Sequence, residues 1–377
     1  VSLPERKHPH HKPSVSWFEL FYDLIIVAIV AQSGKVFLSS PTWQTSGLII
    51  SALLTLFTVW LLVTVSHSLV PANDPVRRAI LLVQMVLLAV AALSLGKGGL
   101  PSWIGFLSAS GAFALLSIVF WRNTRQEPQI GQTLRAIAIG SAAGSAVLAL
   151  SALAVLPVPE DSVLWLATIC NLVAVAVTLT PILGRSLREL VRLDALDLPH
   201  LEERFALFVI IVLGESFVGL LLSLGRLGYV PSPGYFLLTF AIAFSVWAIY
   251  FNSLVPSRMP NTLAGLRIWI LGHALLVVAI VAMAVEFTDL SLSREAGRGL
   301  EFDGNWTPLP LLEIVVALAL LTYVAQGVPR SLFRVQVIAA VILALLSAVD
   351  VATSSSTSDV YTLMGACVMI GNSIACS

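Results

Sequence analysis

Apolar runs of bilayer-crossing length follow one another along the chain, separated by short polar breaks. A helix needs roughly 20 apolar residues to cross a hydrocarbon core of about 30 Å. On that criterion about twelve transmembrane helices are predicted. They fall near residues 17–39, 46–66, 78–95, 103–121, 136–156, 163–183, 205–224, 235–254, 268–287, 309–326, 335–349 and 360–373. The run at 335–349 is short and the run at 360–373 is polar for its length. The criterion therefore brackets roughly ten to twelve spans.

The runs are continuous and lack period-two alternation. That pattern predicts a helical bundle, because the strands of a membrane barrel alternate lipid-facing and lumen-facing residues. Pro and Gly collect at the breaks, as in Val70-Pro71-Ala72-Asn73-Asp74-Pro75 and Tyr229-Val230-Pro231-Ser232-Pro233-Gly234. There they stop one helix before the next begins.

Lys and Arg give the bundle a direction, since they gather on the cytoplasmic side of a membrane. With twelve spans, 16 of the 21 Lys and Arg fall on the side that holds both ends of the chain. Lys35, Lys97, Arg226, Arg294 and Arg298 fall on the other. Both termini are accordingly expected in the cytoplasm. A miscounted helix would scramble the alternation, so the bias supports the count as well.

Composition agrees with this picture. Of 377 residues, 58% are hydrophobic and 11% charged, and the mean hydropathy is +0.93. An ordinary soluble domain carries about 25% charged residues, and so little charge cannot cover a soluble surface. A disordered chain is excluded by the hydrophobicity. Lys and Arg balance Asp and Glu at 21 each, so no net basic field attracts nucleic acid. The lipid bilayer is the expected partner. The basic opening segment, with His8, His10 and His11, lacks the apolar core of a secretory signal peptide and reads as a solvated anchor. Cys170, Cys367 and Cys376 have no CxxC spacing. Neither zinc nor a disulfide framework is expected, and no metal or other cofactor is predicted.

The chain carries an internal duplication. Residues 19–33 read ELFYDLIIVAIVAQS and residues 202–216 read EERFALFVIIVLGES. Aligned without gaps, Glu19 matches Glu202, Gln32 matches Glu215 and Ser33 matches Ser216. Ser68-Leu69-Val70-Pro71 then matches Ser253-Leu254-Val255-Pro256, and after a short insertion Gln84 matches His273. Six helices per half is an even number, so both halves enter the membrane from the same side. The expected fold is an all-α integral membrane protein of about twelve spans, arranged as two parallel six-helix repeats. Residues 1–16 form a cytoplasmic N-terminal segment, 17–183 the first repeat, 184–204 a charged cytoplasmic linker and 205–377 the second repeat.

Ionisable residues inside a span cost at least ~2.5–3.5 kcal/mol at the centre and mark functional sites by default. Asp23 lies roughly 9 Å beyond Trp17 along the first helix. Glu19 and Asp23 share one helical face. Glu215 lies roughly 16 Å beyond Arg204 and is read as the deepest acid. With Glu203, Arg204, Ser216, Asn252 and His273, these residues form the candidate substrate or ion pathway. The structural alternatives are concrete. Glu19 and Glu202 open helices, where acids suit the helix dipole. Arg204 is able to pair with Glu19 or Asp23, and His273 is able to be a hydrogen-bonded packing residue. Glu286, Glu313 and Asp350 read as boundary residues near the headgroups. No GxSxG, HExxH or phosphate-binding Gly loop occurs.

At these residues the sequence resembles the bacterial low temperature requirement A (LtrA) family. The resemblance rests on ELFYDLIIV at 19–27 and on HLEERFALFVIIVLGES at 200–216, the second being long and specific. It implies a multi-pass protein of the bacterial cytoplasmic membrane. The family's Trp-x-x-Tyr-Phe-Asp appears here as WAIYFN, with Asn252 in place of the acid. Phe21-Tyr22-Asp23 is loosely similar to the Phe-Ser-Asp motif of endolysosomal potassium/proton channels, which have two six-helix repeats whose first helices line the pore.

Three functions are compatible with these residues. The first is a transporter or channel-like protein with a polar pathway between the first and seventh helices, its substrate unknown. The second is a membrane-embedded enzyme acting on an apolar, lipid or prenyl-type substrate, with Asp23, Glu215 and His273 as acid–base groups. The third is a structural membrane protein. A transporter predicts a polar cavity open to one face, and an enzyme predicts acids converging in an apolar-walled pocket.

Overall fold

The computed structural model describes residues 16–39, 42–69, 75–95, 99–158, 160–186, 188, 190, 195–226, 233–260, 262–295, 308–353 and 368. Among these residues the chain is all-α, with eleven α-helices. In order they are α1 (Trp17–Ser39), α2 (Trp43–Leu69), α3 (Pro75–Leu93), α4 (Ser102–Gln126), α5 (Gly131–Ala154) and α6 (Glu160–Pro181). There follow α7 (Leu198–Arg226), α8 (Pro233–Ile249), α9 (Leu263–Glu295), α10 (Pro308–Val324) and α11 (Arg330–Thr353). The run expected at 360–373 and the opening His residues lie outside the described residues. Among the described residues eight helices are both long and apolar enough to cross a bilayer, and Phe240–Leu254 and Leu309–Val324 are shorter apolar helices.

The boundaries differ from the hydropathy reading where charge sits at a helix end. α11 begins at Arg330, five residues before the apolar run. α7 begins at Leu198, inside the expected linker. A hydropathy window trims charged turns, yet Arg side chains at the interface continue a helix without leaving water.

α2 is the central post. Nearly all of it from Leu53 to Leu69 is buried, including Thr55, Thr58, Thr64, Ser66 and His67. The outward faces of the surrounding helices expose Ile139, Leu150, Leu153, Phe244 and Leu345, which is the surface lipid requires. Hydroxyls inside the bundle donate to the carbonyl four residues back, as Thr55 does to Ser51, Thr58 to Leu54 and Ser141 to Ile137. That bond satisfies the proton without leaving the helix. α4 and α5 approach through small residues. Ser110 and Ser145 there donate to each other's carbonyl oxygens, both at 2.9 Å.

Two helices end in π-turns. Pro181 cannot donate a backbone hydrogen bond, and α6 passes into a π-turn at Ile182–Ser186 with Gly184 in a non-helical conformation. Arg267, at the start of α9, donates to the carbonyls of Leu183 and Gly184. It thereby covers free acceptors at a helix end. The second π-turn, Tyr250–Leu254, follows α8.

Candidate functional site

The candidate pathway residues divide into a buried charged cluster and several outliers. Glu19 begins the cluster. Ser16 and Glu19 form a capping box: Ser16 N and Oγ donate to Glu19 Oε2 at 2.8 and 2.9 Å, and Glu19 N donates to Ser16 Oγ. The cap leaves Oε1 pointing inward, where His67 Nδ1 and His200 Nε2 stand 3.1 and 3.3 Å away. One carboxylate thus starts α1 and gathers α2 and α7 around it.

One turn deeper, Arg204 Nη2 donates to Asp23 Oδ1 at 2.7 Å, and neither side chain has exposed surface. Trp60 Nε1 donates to the same oxygen at 2.8 Å. Trp60 is itself held by stacking on Phe208 at 4.2 Å and by the edge of Phe205 at 5.2 Å. The Arg204 guanidinium stands 5.9 Å from the indole centroid, within cation–π range. Asp23 Oδ2 and Arg204 Nε and Nη1 are buried without a hydrogen-bond partner. Most buried polar groups in proteins are paired, so three such atoms in one place mark a special site.

Further contacts surround the pair. Tyr22 donates to Gln84 Oε1 at 3.1 Å, and Gln84 Nε2 donates to the Ala112 carbonyl at 3.0 Å. In the second half, Phe205 packs on His273 with centroids 4.4 Å apart. His273 Nδ1 faces the Trp269 carbonyl at 2.8 Å, and Nε2 meets the Tyr250 hydroxyl at 2.7 Å. A carbonyl only accepts, so Nδ1 carries the proton and Nε2 of the neutral ring accepts from Tyr250.

The other candidates stand apart. Glu202 accepts from the Met259 backbone N–H and ties α7 to the segment after α8. Glu203 and Asn252 are exposed, and Glu215 is half-buried. Lys35 on α1 is the charge that reaches Glu215. Among the described residues Asp23, rather than Glu215, is the acid with no exposed surface. Glu215 lies eleven positions beyond Arg204 on α7, roughly 16 Å along the axis, so Asp23, Glu215 and His273 do not converge. The side chain of Ser216 is outside the described residues. His67, Trp60 and Thr64, whose hydroxyl accepts from Arg204 Nη2 at 3.5 Å, were not among the expected residues. The available signal was His67, the one ionisable residue in the 27 residues of α2.

A cavity of about 780 Å³ opens at the opposite, Arg-poor end, among α1, α2, α3, α4 and α6. Ile29, Thr55 and Leu56 reach its deepest lining, roughly one to two helical turns from Asp23 and Trp60. Among the described residues its lining holds hydroxyl and amide groups but no Asp, Glu, Lys, Arg or His. Among the described residues no cluster of His, Cys, Asp and Glu is arranged to hold a metal ion.

A bundle of apolar helices with a buried charged core and a lipid-compatible exterior defines a multi-pass membrane protein. Residues 14–371 match the family model described as bacterial low temperature requirement A protein (LtrA), and the chain belongs to that family. No curated protein and no solved structure matches.

Proposed function

We propose that the chain is a transporter or channel-like protein whose gate is the layer around Asp23 and Arg204. The buried pair with three unpartnered polar atoms carries this reading. A fully desolvated ion pair is costly unless its remaining lone pairs and protons are satisfied. Here they are left unsatisfied at a junction of α1, α2 and α7, ready for an ion, a proton or water to take them. The pathway runs along α1 from the Arg-poor cavity to this layer. Tyr22, Ile26 and Phe57, all buried, separate the two in the closed state.

Two parallel six-helix repeats form the frame. Glu19 meets His200 and Asp23 meets Arg204, both at a separation of 181 residues, so α1 and α7 run side by side in the same direction. Tyr22 and Gln84 touch in the first half, and their aligned counterparts Phe205 and His273 touch in the second. The Arg-rich face, with the chain termini, is cytoplasmic, and the membrane is the bacterial cytoplasmic membrane. The enzyme reading has less support, because its three acid–base candidates are spread along α7 and across to α9.

The test is flux in proteoliposomes containing the full chain, with a trapped pH dye and imposed proton, K⁺ or Na⁺ gradients. Wild type is expected to dissipate at least one gradient, and Asp23→Asn is expected to lose that flux while remaining monodisperse. Flux unchanged by Asp23→Asn and Glu215→Gln together, or no flux of any of the three ions, overturns the proposal.

A further inference from the structure

We infer that the proton is the ion the gate passes, and that it travels between the cytoplasm and Asp23 by way of His200, Glu19 and His67. This inference rests on the transport reading and names the substrate of its gate. Three helices stack two polar layers one turn apart. α1 supplies Glu19 and then Asp23, and α7 supplies His200 and then Arg204. α2 supplies His67 and, three residues back, Thr64, which accepts from Arg204. The outer layer lies in the first turn of α1, the first turn of α7 and the last turn of α2. All three helix ends are on the Arg-rich side.

The contacts suit a proton. Glu19 Oε1 stands 3.1 Å from His67 Nδ1 and 3.3 Å from His200 Nε2, near the range of about 2.6–3.2 Å over which side chains exchange a proton. Neither contact has the alignment of a settled hydrogen bond, and His67 Nε2 and Asp23 Oδ2 are buried without a partner. Buried chains of Asp, Glu and His serve membrane proteins as proton relays. A potassium filter instead holds its ion in a ring of oxygens, whereas Asp23 is faced by N–H groups of Trp60 and Arg204. The cations packed around the relay are Arg77 of α3 and Arg204 of α7, and His273 of α9 is held by Tyr250 and Trp269. His67 also borders, with Ser66, Arg77 and Gln84, a cavity of about 10 Å³, about the room one water needs. His200, with 10% of its side chain exposed, meets the cytoplasmic water. It gives the proton on Nε2 to Glu19 Oε1 and takes one from water at Nδ1, so the ring ends neutral with its tautomer reversed. Glu19 passes the proton through one water to Asp23 Oδ2, roughly 6 Å further along α1, with His67 Nδ1 as the alternative holder. Each hop breaks one N–H or O–H bond and forms another, and no electron is transferred. Protonated Asp23 is neutral and releases Arg204, which opens the layer.

The experiment uses the full chain in proteoliposomes, with a trapped pH dye reading protons and separate assays reading K⁺ and Na⁺. Wild type is expected to move protons. K⁺ or Na⁺ flux without proton movement overturns the inference and leaves the transport reading standing. No flux of any of the three ions fails the transport reading itself, and the inference falls with it. Gln serves as well as Glu in a capping box, so Glu19→Gln keeps the start of α1 but cannot carry a proton. Glu19→Gln and His67→Gln are each expected to slow proton flux about 100-fold or more while remaining monodisperse; having both variants covers a failure of either to fold. Glu19→Asp, which keeps the acid but not the length, is expected to retain more flux than Glu19→Gln, which keeps the length but not the acid. The reverse order, or wild-type proton flux in whichever of Glu19→Gln and His67→Gln is folded, overturns the inference.

Discussion

Asp23 on α1 and Arg204 on α7 are 181 positions apart in sequence and 2.7 Å apart in space, with no exposed surface on either side chain. Their bond joins the first helix of one proposed repeat to the first helix of the other, with Trp60 of α2 completing the contact on Asp23.

Breaking this pair one side at a time leaves a bare charge in the bundle. Asp23→Leu or Arg204→Met alone is expected to cost ~3–5 kcal/mol, and the double substitution to recover most of that loss. Thermal unfolding in detergent checks the order: the double variant melts above either single one. Flux stays absent in all three if the pair is the gate. A double variant with wild-type flux would reduce the pair to a structural bond.

Trp60→Phe separates the hydrogen bond from the ring packing. It keeps stacking on Phe208 and removes the N–H that reaches Asp23. A loss of ~1.5–3 kcal/mol is expected, as for a hydrogen bond to a charged group. Trp60→Ala is expected to cost more, ~3–5 kcal/mol, because it also opens a cavity.

Glycines divide by what surrounds them. A Cβ on Gly144 of α5 would lie 2.1 Å from Thr178 Oγ1 and 3.2 Å from the Ala174 carbonyl. Gly144→Ala is expected to destabilise by ~1–3 kcal/mol through overpacking against α6. Gly214 of α7 has nothing within 4 Å, and Gly214→Ala is expected to be neutral or to stabilise by up to ~1 kcal/mol. Melting temperatures of the two variants should move in opposite directions or differ by several degrees.

Orientation has its own readout. Arg125 and Arg330 are exposed at one end of the bundle, and Leu100 is exposed at the other. Cys at Arg125 or Arg330 should react with a membrane-impermeant maleimide in inside-out vesicles and not in intact spheroplasts. Cys at Leu100 should show the reverse. The opposite pattern would invert the cytoplasmic assignment.

The order of the apolar runs was enough to predict the all-helical membrane class, the first eleven helices and their rough limits. Burial in lipid follows from local composition, and each span satisfies its own backbone hydrogen bonds. The family-bearing stretches at 19–27 and 200–216 also carried Glu19, Asp23 and Arg204 on their surface reading. Other features were decided only when the helices packed. Which acid meets Arg204, Glu19 or Asp23, depends on the register of α1 against α7, with no local signature. His67 and Trp60 enter the site because α2 is the central post, and an apolar run does not announce whether it faces lipid or protein. The cavity arises from gaps among α1, α2, α3, α4 and α6, which exist only once the helices pack. Glu215 was singled out by position along one helix, but its half-buried place depends on the rotation of that helix, which only tertiary packing sets.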